Sequence, residues 1–268
     1  MPTTVGEFRP GDAPLTMLTA YDTPTAAACE RAGVDAILVG DSMGNASLGY
    51  DSTLPVTVDE IASRTGAVAR ATDETLVIAD MPFLSFGVDE AESIKNAGRM
   101  LKEAGAHAVK LESGPHTIEL TERLANLGIP VMAHLGLTPQ KVNQLGYARQ
   151  GTSREAAEEI AALADAHEDA GAFALVLEHV PANLATQITD QLSIPTIGIG
   201  AGQDCDGQVL VANDVLGLGE RIPPFAASFG DVRGEMERAI SDYVGAVEND
   251  EFPADEHSHV EADLDDLY

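Results

Sequence analysis

Tryptophan is absent from this chain of 268 residues, cysteine occurs twice and lysine four times. Cys29 and Cys205 are far apart and make neither a disulfide framework nor a paired-cysteine metal motif, so a reducing cytoplasm fits. No apolar run approaches the roughly eighteen residues of a membrane span, and Met1–Glu7 lacks the charged-then-apolar pattern of a signal peptide. The expectation is a soluble, untargeted protein.

Positive charge is also scarce: 15 Lys and Arg stand against 44 Asp and Glu, a formal net charge of −29. Such a surface repels phosphate backbones and anionic lipid, which excludes nucleic-acid binding and polybasic membrane docking. An acid excess with lysine depletion over a whole chain points instead to solubility in concentrated salt, where charge repulsion is screened within about 3 Å at about 1 M.

What is present is a globular composition, 44% hydrophobic and punctuated by 25 glycines and 14 prolines. Short apolar runs alternate with amphipathic stretches. The runs Leu15–Ala20, Ala36–Gly40, Leu76–Met81, Ala108–Leu111, Pro130–Leu135, Ala172–Glu178 and Thr196–Gly200, with a weaker one over Gln208–Ala212, read as eight strands. Helical spacing recurs over Thr57–Ala71, Asp89–Ala104, His116–Leu127, Ser153–Ala170 and Ala182–Leu192. This βα alternation predicts a single (β/α)8 TIM barrel over residues 1–250. A doubly wound sheet fits less well: no glycine-rich phosphate fingerprint follows the first strand, and polar residues close strand after strand. Glu251–Tyr268 holds seven acids and no Lys or Arg, and reads as a short, flexible acidic C-terminal tail.

In a barrel the carboxyl ends of the strands converge on one face, so residues distant in sequence ring one cavity. Those ends carry Asp41-Ser42, Asp80-Met81-Pro82, Lys110-Leu111-Glu112, His134-Leu135-Gly136 and Glu178-His179. Each alone also reads as a turn former or an ordinary ion pair. Together, four acids at neighbouring mouths repel one another unless a cation or a shared proton relieves them. Carboxylates with open water positions suit Mg2+, whereas zinc prefers the His and Cys that are scarce here, so Asp41, Asp80 and Glu112 form the candidate metal set. Lys110 lies two residues from Glu112, on the same side of its strand, where it can meet a substrate carboxylate or offset the acids. Glu178 ends an apolar run, a setting that disfavours its charge and suits a general base. His134 reads equally as a satisfied structural histidine and as a substrate hydrogen-bond donor. Gly198-Ile199-Gly200-Ala201-Gly202 has the look of a phosphate cradle, but close backbone approach explains its glycines as well.

These stretches resemble the ketopantoate hydroxymethyltransferase family. The similarity runs from Met17-Leu18-Thr19-Ala20-Tyr21-Asp22 through Gly40-Asp41-Ser42-Met43-Gly44, Asp51-Ser52-Thr53-Leu54-Pro55, Ala79-Asp80-Met81-Pro82-Phe83 and Val109-Lys110-Leu111-Glu112. It continues through His134-Leu135-Gly136-Leu137-Thr138-Pro139-Gln140, Leu177-Glu178-His179-Val180-Pro181 and Gly198-Ile199-Gly200-Ala201-Gly202, covering nearly the whole chain. The resemblance implies a (β/α)8 barrel that transfers a one-carbon unit from 5,10-methylenetetrahydrofolate, or a modified pterin in some lineages, to 3-methyl-2-oxobutanoate. The product is 2-dehydropantoate, for pantothenate and coenzyme A synthesis. It further implies Mg2+ on Asp41, Asp80 and Glu112, substrate contacts from Asp41, Ser42, Asp80 and Lys110, proton abstraction by Glu178, and a homo-oligomer that is often a decamer. Tyr50, Ser113 and His179 depart from residues common in that family, without removing a proposed ligand or base. Two other readings fit the same acids: a folate-independent Mg2+-dependent carbon–carbon lyase or mutase of the phosphoenolpyruvate-utilising barrels, and a non-catalytic binding barrel.

Overall fold

The structure, a computed structural model, describes residues 4–219 and 221–261. They fall into two compact units. The first runs to Ala212 and takes in Pro224–Ala226; the second holds Asn213–Pro223 and the chain from Ala227 onward.

The first unit opens with β1 (Leu15–Thr19), α1 (Thr23–Ala32), β2 (Ala36–Val39), the one-turn α2 (Met43–Ala46), α3 (Val58–Ala69), β3 (Leu76–Asp80) and α4 (Glu90–Lys102). It continues with β4 (Ala108–Glu112), α5 (Ile118–Asn126), β5 (Val131–Gly136), the short α6 (Val142–Leu145), α7 (Arg154–Asp169) and β6 (Ala174–Glu178). α8 (Ala182–Gln191), β7 (Thr196–Ile199) and β8 (Gly207–Leu210) complete it, and α9 (Ala212–Val215) leads into the second unit. All eight strands are parallel and close into a barrel, β8 pairing back onto β1 with Leu15 opposite Gly207. The expected barrel is therefore the fold, and the open doubly wound sheet is not.

Helices cover the outer face of the sheet, so most strands are apolar on both faces and lie wholly buried: β2 reads Ala-Ile-Leu-Val and β3 Leu-Val-Ile-Ala-Asp with no exposed residue. Alternate residues serve different layers. Met17, Ala36, Leu38, Leu76, Ile78, Ala108, Met132, Ala174 and Val176 pack together inside the barrel. Ile37, Val39, Val77, Ala79, Val109, Leu111 and Val131 pack with Ile61, Val68, Met100 and Leu124 of the surrounding helices. Continuing the interior parity along each strand gives Asp80, Lys110, Glu112, His134 and Glu178, so the same period of two that fills the core aims these side chains into the mouth.

Local chemistry starts the helices on register. Thr57 and Glu60 form a reciprocal capping box on α3, and Asp22, Asp89 and Ser153 cap α1, α4 and α7. The helical stretch expected from His116 opens later, because Pro115–Thr117 form a 3-10 turn and the Thr117 hydroxyl takes the Gly114 N–H at 2.9 Å. The last strand ends at Leu210, short of the expected Ala212, whose N–H goes to the Thr19 hydroxyl at 3.0 Å. At the end of β5, Gly136 has φ 97°, and a Cβ there would lie 2.2 Å from the Glu178 carbonyl. Only glycine lets β5 run this close to the residue after which β6 ends.

In the second unit, α10 (Val232–Glu248) is capped by the Asp231 carboxylate on the Gly234 N–H. The acidic tail expected over Glu251–Tyr268 is described as far as Glu261, with a 3-10 turn at Asp255–His257; residues 262–268 lie outside the described residues.

Candidate active site

The strand ends bring Asp41, Asp80, Lys110, Glu112, His134 and Glu178 to one mouth, joined by a chain of short contacts. Asp80 and Lys110 are register partners across β3 and β4, and Lys110 Nζ lies 3.0 Å from Asp80 Oδ1 with both side chains buried. The backbone N–H of Asp41 donates to Asp80 Oδ2 at 3.2 Å. On its other side Lys110 Nζ is 3.4 Å from His134 Nδ1, and His134 Nε2 is 3.1 Å from Glu178 Oε2.

This geometry fixes the histidine tautomer. Lysine has only protons to give, so His134 Nδ1 accepts and Nε2 carries the hydrogen; Nε2 lies close to Glu178 Oε2 but has no aligned hydrogen-bond partner. Burial, and then the charge of Lys110, hold the His134 pKa below its ordinary value, in keeping with a neutral ring. His134 thus turns its N–H side toward Glu178. The apolar run before Glu178 is β6 itself, which delivers the carboxylate to the open end with its side chain 16% exposed.

The three other acids are crowded. Burial and the neighbouring charge of Asp80 push the Asp41 carboxyl up to about 7. Burial and the charge of Asp41 push Glu112 well above the ordinary carboxylate range. For Lys110 burial works the other way, but the charges of Asp80, Asp41 and Glu112 outweigh it and raise the ammonium above its usual value. One lysine for three buried carboxylates leaves negative charge that a hard divalent cation can neutralise, and the all-oxygen donor set suits Mg2+. Among the described residues no three His, Cys, Asp or Glu side chains are gathered as a ready ligand cage. That is compatible with Mg2+, which takes one or two carboxylates and leaves its remaining positions to substrate and water.

Ser42 sits at the rim, its hydroxyl 2.8 Å from the Tyr21 phenol. Two contributors escaped the sequence reading. Tyr21 lies just past β1, and the strand-end criterion that selected the acids would have found it. Gln140 is buried in a 3-10 turn after β5 and touches both Asp41 and Glu112; it closes the family-like stretch His134–Gln140, but no strand or helix period singles it out. The Gly198–Gly202 stretch packs on protein: a Cβ on Gly200 would lie 3.1 Å from the Phe225 ring and one on Gly202 2.5 Å from Ala182 Cβ. Cys29 and Cys205 are both buried and free.

A family model described as ketopantoate hydroxymethyltransferase matches residues 3–255. The 3-methyl-2-oxobutanoate hydroxymethyltransferase of Haloarcula marismortui is 69% identical over 258 residues, 96% of this chain and 96% of the relative. The enzyme of that name from Halobacterium salinarum is 70% identical over 256 residues, 95% of this chain and 93% of the relative. One from Rippkaea orientalis is 51% identical over 241 residues, covering 90% and 94%. Among solved structures, a phosphonomutase-like protein from Burkholderia cenocepacia superposes with TM-score 0.60 at 17% identity, over 91% of this chain and 96% of that one. A 2,3-dimethylmalate lyase gives TM-score 0.55 at 18% identity, over 91% and 82%. At these identities the two structures speak for the fold alone.

Proposed function

The chain belongs to the ketopantoate hydroxymethyltransferase family, and from that premise we propose how its barrel mouth performs hydroxymethyl transfer to 3-methyl-2-oxobutanoate, giving 2-dehydropantoate. The one-carbon unit comes from 5,10-methylenetetrahydrofolate or a pterin carrying the same group. The observation that carries the reading is the Glu178 carboxylate at the end of β6 in the barrel mouth, with the neutral His134 3.1 Å away.

Glu178 takes the proton from C3 of the oxo acid, with His134 packed against its carboxylate. Water releases the one-carbon unit from its carrier, whose two nitrogens take up the water hydrogens, and C3 then bonds to that carbon while its oxygen receives the proton Glu178 removed and becomes the hydroxyl. Lys110 and Ser42 bind the oxo acid, Lys110 through its ammonium and Ser42 through its hydroxyl. Asp41, Asp80 and Glu112 are the side chains that would hold Mg2+, which when bound would polarise the oxygens of the 2-oxo acid. The buried Asp80–Lys110 pair keeps the floor of the site fixed and excludes water from beneath it.

The protein acts in the cytoplasm, a setting supported by its two free, buried cysteines; among the described residues no helix is long and apolar enough to cross a membrane. It works as a homo-oligomer, with a decamer as the expected order. An apolar stripe along α10, with Met236, Ile240, Tyr243 and Val247 each more than 40% exposed, supports self-association.

The test is release of tetrahydrofolate on adding 3-methyl-2-oxobutanoate, with and without Mg2+, beside solvent-deuterium exchange at C3 in the absence of the folate. Folate-dependent turnover and Mg2+-dependent exchange are expected. Carbon–carbon cleavage without any folate would favour the lyase reading, and oxo-acid binding with neither reaction would make the chain a binding barrel.

A further inference from the structure

Gln140 touches three strand ends at once. Its side-chain Nε2 donates to Asp41 Oδ2 at 2.8 Å and to the Met81 carbonyl at 3.0 Å. Its backbone N–H is shared between the two Glu112 oxygens, at 3.0 and 3.1 Å. Asp41 follows β2, Met81 follows β3 and Glu112 closes β4, so one residue spans three adjacent staves of the barrel. It is 7% exposed, and hydrogen bonds made away from water hold their geometry firmly.

The orientation of the amide follows from its partners. The Met81 carbonyl can only accept, so the nitrogen and not the oxygen must face it, and the second proton on that nitrogen is left for Asp41. The two attachments of Gln140 also differ in what a substitution removes. Any residue except proline keeps the backbone bond to Glu112, whereas only the amide holds the Asp41 carboxylate. With Oδ2 engaged by the amide, Oδ1 is the oxygen Asp41 has to offer.

We propose that Gln140 is a positioning residue for the metal-binding acids: it locks the Asp41 carboxylate so that a single oxygen faces a divalent cation, and so sets the affinity of that site. The inference rests on the reading of Asp41 as a metal acid. Outer partners that orient a metal ligand are worth about 10- to 100-fold in metal affinity when removed. Without the amide, the Asp41 side chain turns away from its crowded neighbours Asp80 and Glu112, and the cation must reorganise it on binding.

The test is Mn2+ binding to the full chain, followed by the electron paramagnetic resonance of the free ion, in wild type, Gln140→Met and Gln140→Asn at one fixed salt concentration. Gln140→Met is expected to bind Mn2+ about 10- to 100-fold more weakly, and Gln140→Asn, whose amide is one methylene short, to lie between it and wild type. In turnover, the Mg2+ concentration for half-maximal rate should rise by the same factor while kcat at saturating Mg2+ recovers to within about threefold. A purely structural loss would lower kcat and leave that concentration unmoved. Wild-type affinity in a Gln140→Met protein that melts cooperatively would overturn the proposal; if that variant fails to fold, unchanged affinity in Gln140→Asn does the same. A wild-type chain that binds no Mn2+ would instead remove the metal reading of Asp41, whatever Gln140 does.

Discussion

Glu178 and His134 lie 3.1 Å apart but are expected to fail differently. Glu178→Gln removes the base and should slow deuterium exchange at C3 by about 10²- to 10⁴-fold, with Mn2+ affinity kept; unchanged exchange would dismiss Glu178 as the base. His134→Ala removes only the group packed against it, and a smaller fall, on the order of tenfold, is expected in the same exchange. Lys110 is a different case, because Asp80 beside it is 1% exposed and would be left as a buried charge without its partner. Lys110→Met should therefore cost about 3–5 kcal/mol in the metal-free protein, read from denaturant unfolding, and an unchanged midpoint would show that Asp80 is relieved some other way. At this scale most of the site was legible. The acids, Lys110 and His134 stand at the ends of apolar runs, and all of them but Asp41 continue the inward parity of their strands, signals visible in the chain. Gln140 was not, since it reaches the site from an irregular turn through its side chain and no period points there.

The strands and helices are tied together at a few positions where one residue serves two elements. Gly136 ends β5 against the last residue of β6, so Gly136→Ala brings both a positive φ and a clash with the Glu178 carbonyl. A loss of at least about 2 kcal/mol in thermal or denaturant unfolding is expected, with activity falling as Glu178 shifts. Behind the barrel, His167 of α7 is wholly buried and bridges to the loop after β4, with Nε2 3.3 Å from the Gly114 carbonyl and Nδ1 3.2 Å from the Thr121 hydroxyl. The carbonyl only accepts, so Nε2 carries the hydrogen, and burial lowers the pKa of the ring. The unfolded chain then takes up a proton near pH 6.5 that the folded chain refuses, and stability is lost as pH falls through that value. Wild type should lose up to about 1.4 kcal/mol per pH unit more than His167→Gln below pH 6.5; parallel curves would place the titration elsewhere. Strand positions were readable to within a residue or two because helices bury their outer faces and the runs stay apolar. The misreadings sit where side chains capture backbone groups: Thr19 takes the Ala212 N–H and Thr117 takes that of Gly114.

Over the whole molecule the net charge of −29 belongs to the surface more than to the site, whose few acids account for little of it. Like charge spread over a compact body opposes folding at low ionic strength, and salt removes the opposition. We expect the melting temperature and turnover to rise from about 0.1 M to above about 1 M KCl, and full stability in dilute buffer would show that the acid excess is only a matter of solubility. The closure of the barrel has a consequence of another kind, in the timing of synthesis. β1 must pair with both β2 and β8, and its second partner, beginning at Gly207, is translated last of all the strands. Until β8 has left the ribosome one edge of β1 therefore stays unfilled, and a nascent chain halted before Gly207 carries an open edge that another polypeptide can pair with.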